Sequence, residues 1–126
     1  MHRSRLSTLV VAVPSHLADE ATAFWAAALG AAVEELPDEP GFNGLRDAVP
    51  QLVTAVQAVD DAPRFHVDLE TDDVPAEVVR LQALGAEPVS VWQGCHVLRA
   101  PGGHLLCVIP LHSDEASFAA SARTWP

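Results

Sequence analysis

Leu6 to Val13 is an almost unbroken run of aliphatic and β-branched residues, which predicts a strand covered on at least one face and expected to be covered on both. Pro14-Ser15 ends it. From Leu17 the apolar positions Leu17, Ala21, Phe24, Trp25, Ala28 and Leu29 recur at helical spacing, with Asp19 and Glu20 in the first turn, where the helix dipole favours carboxylates. Gly30 is a natural C-terminal stop. Ala31 to Leu36 reads as a short strand and Pro37 to Gly41 as turn chemistry. Phe42 to Val49 and Gln51 to Val59 give two further strands around Pro50.

The pattern then starts again after Asp60-Asp61-Ala62-Pro63. Arg64 to Thr71 alternates, with Phe65, Val67 and Leu69 on one face and His66, Asp68 and Glu70 on the other. Asp72 or Asp73 caps a helix with Pro75 in its first turn and an expected buried stripe of Val74, Val78, Leu81 and Leu84, which Gly85 stops. Three strands follow, Glu87 to Trp92, Gly94 to Arg99 and His104 to Leu111, the last two joined by a tight turn through Ala100-Pro101-Gly102-Gly103. Ser113 is placed to cap a short helix carrying Ala116, Phe118, Ala119 and Ala122. That tail, with Phe118 and Trp125, reads as a packing or dimer appendage.

Ala28-Leu29-Gly30-Ala31 recurs as Ala83-Leu84-Gly85-Ala86, and both copies join a helix to a strand. One βαβββ module is therefore written twice, about residues 6–59 and 64–111, with a tail over 112–126, all in a single domain spanning 1–126. The expected fold class is α+β, with two tandem βαβββ modules whose curved mixed sheets surround a concave cavity.

Composition narrows the partners. Hydrophobic residues make up 49% of the chain, enough for a core without disulfides, and the formal charge of −10 repels phosphate backbones and anionic lipid. Nucleic acid and membrane are thus not expected as partners. Leu9 to Val13 is too short an apolar run to span a bilayer, and the expected location is cytoplasmic, where Cys95 and Cys107 are thiols.

The run Arg64-Phe65-His66-Val67-Asp68-Leu69-Glu70, the Asp73-led helix ending Leu84-Gly85-Ala86, and Pro101-Gly102-Gly103 before Leu106-Cys107-Val108 resemble the second module of the vicinal oxygen chelate superfamily. That superfamily includes glyoxalase I, bleomycin-resistance proteins and extradiol dioxygenases. Phe24-Trp25 followed by Leu29-Gly30 resembles its first-module helix, particularly in glyoxalase-like bacterial domains, so the likeness covers roughly residues 6 to 110. It implies a ligand cavity, frequent homodimers and commonly a divalent metal held by one residue from each of four strands. Carried onto this chain, those positions are Thr8, Gln57, His66 and Cys107. His66 alone matches the usual ligand type, so the resemblance implies a small-molecule binder without the usual four-ligand metal centre, sequestering a drug-like or metabolic ligand. No cofactor is the first expectation, with a divalent metal on His66 as the other. The alternative is a lyase or isomerase acting on a small oxygenated substrate with His66 as base or metal ligand.

Each site candidate carries a plain reading beside the functional one. His66, Asp68 and Glu70 form a polar strand face able to move protons, or Asp68 and Glu70 sit at a rim, solvated or paired with Arg64 or Arg99. Cys107 is a small buried hydrophobe, or a thiolate in a His66, His96, Cys107 zinc set if the turn centres on Pro101 and Gly102 and places His96 opposite Cys107. Gln57 hydrogen-bonds a ligand carbonyl or a neighbouring strand, Phe42 and Trp92 form an aromatic wall or pack, and Arg99 binds an anionic ligand or is an exposed strand end. Gly102-Gly103 serves a hairpin rather than a phosphate, and Ser15-His16 lacks the setting of a hydrolase nucleophile.

Overall fold

A computed structural model describes residues 1–126, and the chain falls into two compact units, residues 8–66 and residues 1–7 with 67–126. The division runs through two strands, β1 (His2–Pro14) and β5 (Arg64–Thr71).

In the unit of residues 8–66, β1 leads through a short 3-10 turn, Ser15–Leu17, into α1 (Ala18–Leu29), then β2 (Ala32–Glu35), β3 (Phe42–Arg46) and β4 (Val53–Val59). The strand order is β1-β4-β3-β2, parallel between β1 and β4, where Thr8 aligns with Val53 and Pro14 with Val59, and antiparallel elsewhere. Val10 to Val13 are buried in succession, as expected of a strand covered on both faces.

The helix buries only part of the expected stripe. Thr22 and Ala26 are its buried residues, and Ala18, Ala21 and Trp25 pack with Ala26 on Val11, Val13, Leu45 and Val56. Phe24 is 62% exposed. Small side chains at Ala18, Thr22 and Ala26 let the helix approach its strands closely, and Thr22 satisfies its hydroxyl by donating to the Ala18 carbonyl at 2.7 Å. Phe24 then meets Trp25 edge-on, and Trp25 meets Phe65 in the same way, at centroid distances of 5.3 and 6.2 Å.

The other unit repeats the order. β5 is followed by α2 (Val74–Ala83), β6 (Glu87–Trp92), β7 (Cys95–Arg99) and β8 (Leu105–Pro110), arranged β5-β8-β7-β6 with β5 and β8 parallel. Both units are thus βαβββ modules whose first strand lies parallel to their last, and the fold is the α+β class expected from the repeat. Asp73 caps α2 by accepting from the Ala76 N–H at 3.0 Å. Along α2, Val74, Val78 and Leu81 are half-buried, Leu84 is exposed, and the fully buried residue is Glu77. Glu77 accepts a hydrogen bond from Arg80 one turn on, and its Oε1 lies 3.6 Å from His2 Nε2.

Two expectations need correction in this unit. The β7–β8 hairpin holds one more turn residue than a two-residue loop allows. Gly103 donates to the Ala100 carbonyl and Ala100 to the His104 carbonyl, so Pro101 to Gly103 all lie in the loop, with both glycines at positive φ. That extra residue slips the register by one: His96 pairs with Val108, and Cys107 pairs with Val97. His96 therefore lies on the opposite face from Cys107, and the His66, His96, Cys107 set does not form.

The helix after β8 is α3 (Glu115–Ser121), and its cap is Asp114, which accepts from the Ser117 N–H at 2.9 Å. Ser113 instead gives its N–H to Glu70 Oε2 at 3.1 Å. The tail packs into its own unit, one of the two roles expected for it. Phe118 is fully buried, and β9 (Arg123–Trp125) pairs antiparallel with β1, where Trp125 Nε1 donates to Ser4 Oγ at 2.9 Å and Arg80 lies over the indole at 3.8 Å.

Candidate functional site

Strand alternation and parallel register together build the polar face of β5. His66 and Asp68 are two residues apart on one strand, and Asp68 aligns with Cys107 on β8. One donor atom from each of the three lies within 4.8 Å of the other two, and all three residues are half-buried. The opposite face of these strands carries the buried residues Leu98 and Val108. Apolar packing on one side thus leaves an imidazole, a carboxylate and a thiol together on the other.

Burial holds the His66 imidazole below its ordinary pKa, and the nearby Arg64 charge pushes in the same direction. The ring is therefore neutral at neutral pH and has a lone pair to offer a proton or a metal. Arg64 itself is held by Asp61, with which it forms an ion pair.

Glu70 continues the same alternation but is committed elsewhere. It is fully buried, its Oε2 accepts the backbone N–H groups of His112 and Ser113 at 3.0 and 3.1 Å, and Arg5 and His112 stand at 3.8 and 3.2 Å from its two oxygens. Burial pushes its pKa up, but the hydrogen bonds from Ser113 and His112 and the His112 charge outweigh that and hold it below the usual carboxylate range. The partners are thus Arg5 and His112, not Arg64 or Arg99, and sequence reasoning missed them because both lie far from Glu70 along the chain.

The remaining candidates are spread over other strands. Gln57 on β4 is half-buried and directly opposite Phe42 on β3, so amide and ring share a face. Thr8 is buried on β1. Trp92, at the end of β6, is 63% exposed, and Arg99 donates to the Gly103 carbonyl at 3.3 Å, closing the hairpin turn. His96 stays half-buried opposite Val108.

The donor set decides which metal these residues suit. Imidazole, carboxylate and thiolate match three-ligand zinc sites that keep a fourth position open, whereas magnesium and manganese prefer shells rich in oxygen. His66, Asp68 and Cys107 therefore fit a thiophilic divalent ion.

Several solved structures share the fold. Methylmalonyl-CoA epimerase from Mycobacterium tuberculosis aligns at a TM-score of 0.57 and 17% identity, over 89% of this chain and 91% of its own. The Mn(II)-bound glyoxalase from Novosphingobium aromaticivorans aligns at 0.56 and 19%, over 85% of this chain and 40% of its own. A 2,2',3-trihydroxybiphenyl 1,2-dioxygenase from Sphingomonas wittichii aligns at 0.61 and 14%, over 92% of this chain and 44% of its own. At these identities the likeness is one of fold. Comparison with curated protein sequences gives no match. No helix is long and apolar enough to cross a membrane. The family model of the glyoxalase-like domain matches residues 9–109, and with the paired βαβββ modules it places this chain in the glyoxalase-like family of the vicinal oxygen chelate superfamily.

Proposed function

We propose that this chain binds a small oxygenated organic molecule at the polar face of β5, with His66 as the principal contact. The observation that carries this reading is the meeting of His66, Asp68 and Cys107 donor atoms within 4.8 Å on a half-buried face. A half-buried imidazole beside a carboxylate offers directional hydrogen bonds in a setting where water competes less than at an open surface. Within the unit of residues 8–66, Gln57 and Phe42 face each other across β3 and β4 and offer an amide for a ligand oxygen and a ring for its apolar part. Thr8, Trp92, His96 and Arg99 take no first role. Sequestration of a drug-like or metabolic molecule is the function this supports.

The lowered His66 pKa favours a second reading, a lyase or isomerase in which the neutral imidazole removes a proton from carbon next to a carbonyl. Both readings share one contact and differ in turnover. The exposed apolar side chains Val89, Val91 and Trp92 on β6 support the expected pairing of two copies, which sedimentation of the purified chain measures.

Thermal unfolding against a panel of small carbonyl compounds, hydroxy acids and phenols tests the proposal. At least one compound raises the Tm of the wild type, and His66→Ala removes that rise while keeping the far-UV spectrum. A rise that survives His66→Ala, or a panel with no rise at all, overturns it. Product formation from the active compound then separates catalyst from binder.

A further inference from the structure

We propose that a recess between α2 and the start of β1 binds the carboxylate of a small apolar acid, through Arg80 and His2. The site lies wholly within the unit of residues 1–7 and 67–126, and it does not rest on the reading above.

The recess encloses about 560 Å³, a volume within the range of small-molecule sites. Pro75, Ala76 and Val79 give it an apolar wall along α2, and Val79 stands 66% exposed. Arg80 and His2 line it as well, and both lie against one carboxylate oxygen. Glu77, fully buried, accepts from Arg80 Nε on Oε1, and His2 Nε2 is 3.6 Å from that same atom.

Arg80 is fixed in place before any ligand arrives. Its Nε is committed to Glu77 and its guanidinium lies over the Trp125 indole, 3.8 Å from the ring centroid, so stacking sets the plane. The two terminal nitrogens take no partner from the protein. Such an edge matches the two oxygens of a carboxylate, and a side chain already ordered loses little entropy on binding one.

His2 points to a polar ligand independently of Arg80. Its side chain is 5% exposed, and at 3.6 Å from Glu77 its Nε2 is beyond hydrogen-bond length and has no hydrogen-bond partner. A buried imidazole nitrogen left so costs free energy, and a hydrogen bond to a ligand oxygen removes that cost.

Charge and wall together select the ligand class. Asp73 also lines the recess, but it lies about 10 Å along the helix axis from Arg80, and its Oδ1 accepts the Ala76 N–H at 3.0 Å. The Arg80 end is therefore the anion-binding end. Because the net charge of −10 repels anions at long range, selection acts at contact, through the guanidinium on the carboxylate and through the apolar wall on the rest of the acid. An anion with no apolar part gains only the first of these.

Titration of the isotope-labelled full chain with phenylacetate, followed by NMR, is the test, with phenylacetamide as the neutral counterpart and inorganic phosphate as competitor. Phenylacetate shifts the Val79 and Arg80 amides and the Trp125 indole N–H saturably, and phosphate at equal concentration does not displace it. The neutral amide binds at least about ten-fold more weakly. Val79→Glu, at an exposed position, sets a like charge against the ligand and weakens binding by about ten-fold or more, and Arg80→Lys does the same by replacing the planar fork with a point charge. Circular dichroism shows whether the variants fold, and if Arg80→Lys does not, Val79→Glu and the neutral amide decide. The three shifts persist in His66→Ala, so the ligand reading above stands or falls separately. No saturable shift, equal binding of phenylacetate and phenylacetamide, displacement by phosphate, undiminished binding in Val79→Glu, or loss of the shifts in His66→Ala overturns the site.

Discussion

Asp72 receives the backbone N–H of Arg3 on Oδ1 at 2.7 Å and the Arg3 guanidinium on Oδ2 at 2.9 Å, and returns its own N–H to the Arg3 carbonyl at 3.2 Å. Thr71 adds its hydroxyl to the same carbonyl at 2.7 Å. The Arg3 guanidinium also reaches Glu115 Oε1 at 3.2 Å and lies over the Phe118 ring, 4.9 Å from its centroid. One arginine near the start of β1 thus ties the corner between β5 and α2 to α3.

That arrangement sets an acid limit on stability. Burial pushes the Asp72 carboxyl up, but the hydrogen bonds and charge of Arg3 outweigh it, so the folded pKa lies below the ordinary 3.8. Above the unfolded pKa the carboxylate contributes its full stabilisation. As the pH falls below about 4, the unfolded chain takes up the proton first, and the contribution is lost on passing through the folded pKa. Urea unfolding between pH 2.5 and 7 should show the wild type weakening in that window, and Asp72→Asn should be less stable at pH 7 and flatter below pH 4.

Glu70 is expected to hold structure rather than do chemistry. Its Oε2 fixes the chain as it leaves β8, through the N–H groups of His112 and Ser113. Glu70→Gln keeps the shape but loses the charge that these donors and Arg5 face, a cost of about 1.5–3 kcal/mol by analogy with hydrogen bonds to ionised groups. Denaturant midpoints measure that loss.

Phe118 tests whether the tail is structural. Fully buried beneath Arg3, it leaves a cavity when truncated, and Phe118→Ala should destabilise the chain by roughly 3–5 kcal/mol. Equilibrium unfolding followed by tryptophan fluorescence reads the change, and a loss under 1 kcal/mol would return the tail to the status of an appendage.

How legible these features are in the sequence depends on how local their causes are. β5 and β6 begin and end where alternation places them, and α2 starts at its Asp73 cap, because side-chain period and capping act over a few residues. The shared face of His66 and Asp68 follows from the same alternation. The alignment of Cys107 with Asp68 does not, since it is fixed by the parallel pairing of strands 39 positions apart in the sequence. A single added loop residue, Gly103, decides where His96 goes. The roles of Arg3 and Arg5 are not legible in the sequence, because Asp72, Glu115 and Glu70, the carboxylates that receive those charges, are remote along the chain. In α1 the expected stripe holds at Ala21 and Trp25 and fails at Phe24 and Leu29, because large apolar side chains dominate a periodicity argument, whereas close packing on the sheet also selects small ones such as Thr22 and Ala26.

Gly30 and Gly85 hold the same place in the two repeated tetrapeptides, yet they answer to different constraints. Gly30 has a φ of +65° with no neighbour near the position of an added Cβ, so an alanine there meets only the cost of the left-handed backbone, about 1 kcal/mol. Gly85 has a φ of +111°, farther from the left-handed basin, and its added Cβ would lie 3.2 Å from Pro101 Cγ, a tighter contact than side chains normally make. Gly85→Ala should therefore destabilise the chain more than Gly30→Ala, by a further ~1–2 kcal/mol, since the strained backbone and the push on the β7–β8 turn add, and thermal or denaturant unfolding measures the difference. Equal losses of stability in the two variants would show that the Pro101 turn yields without disturbing β8.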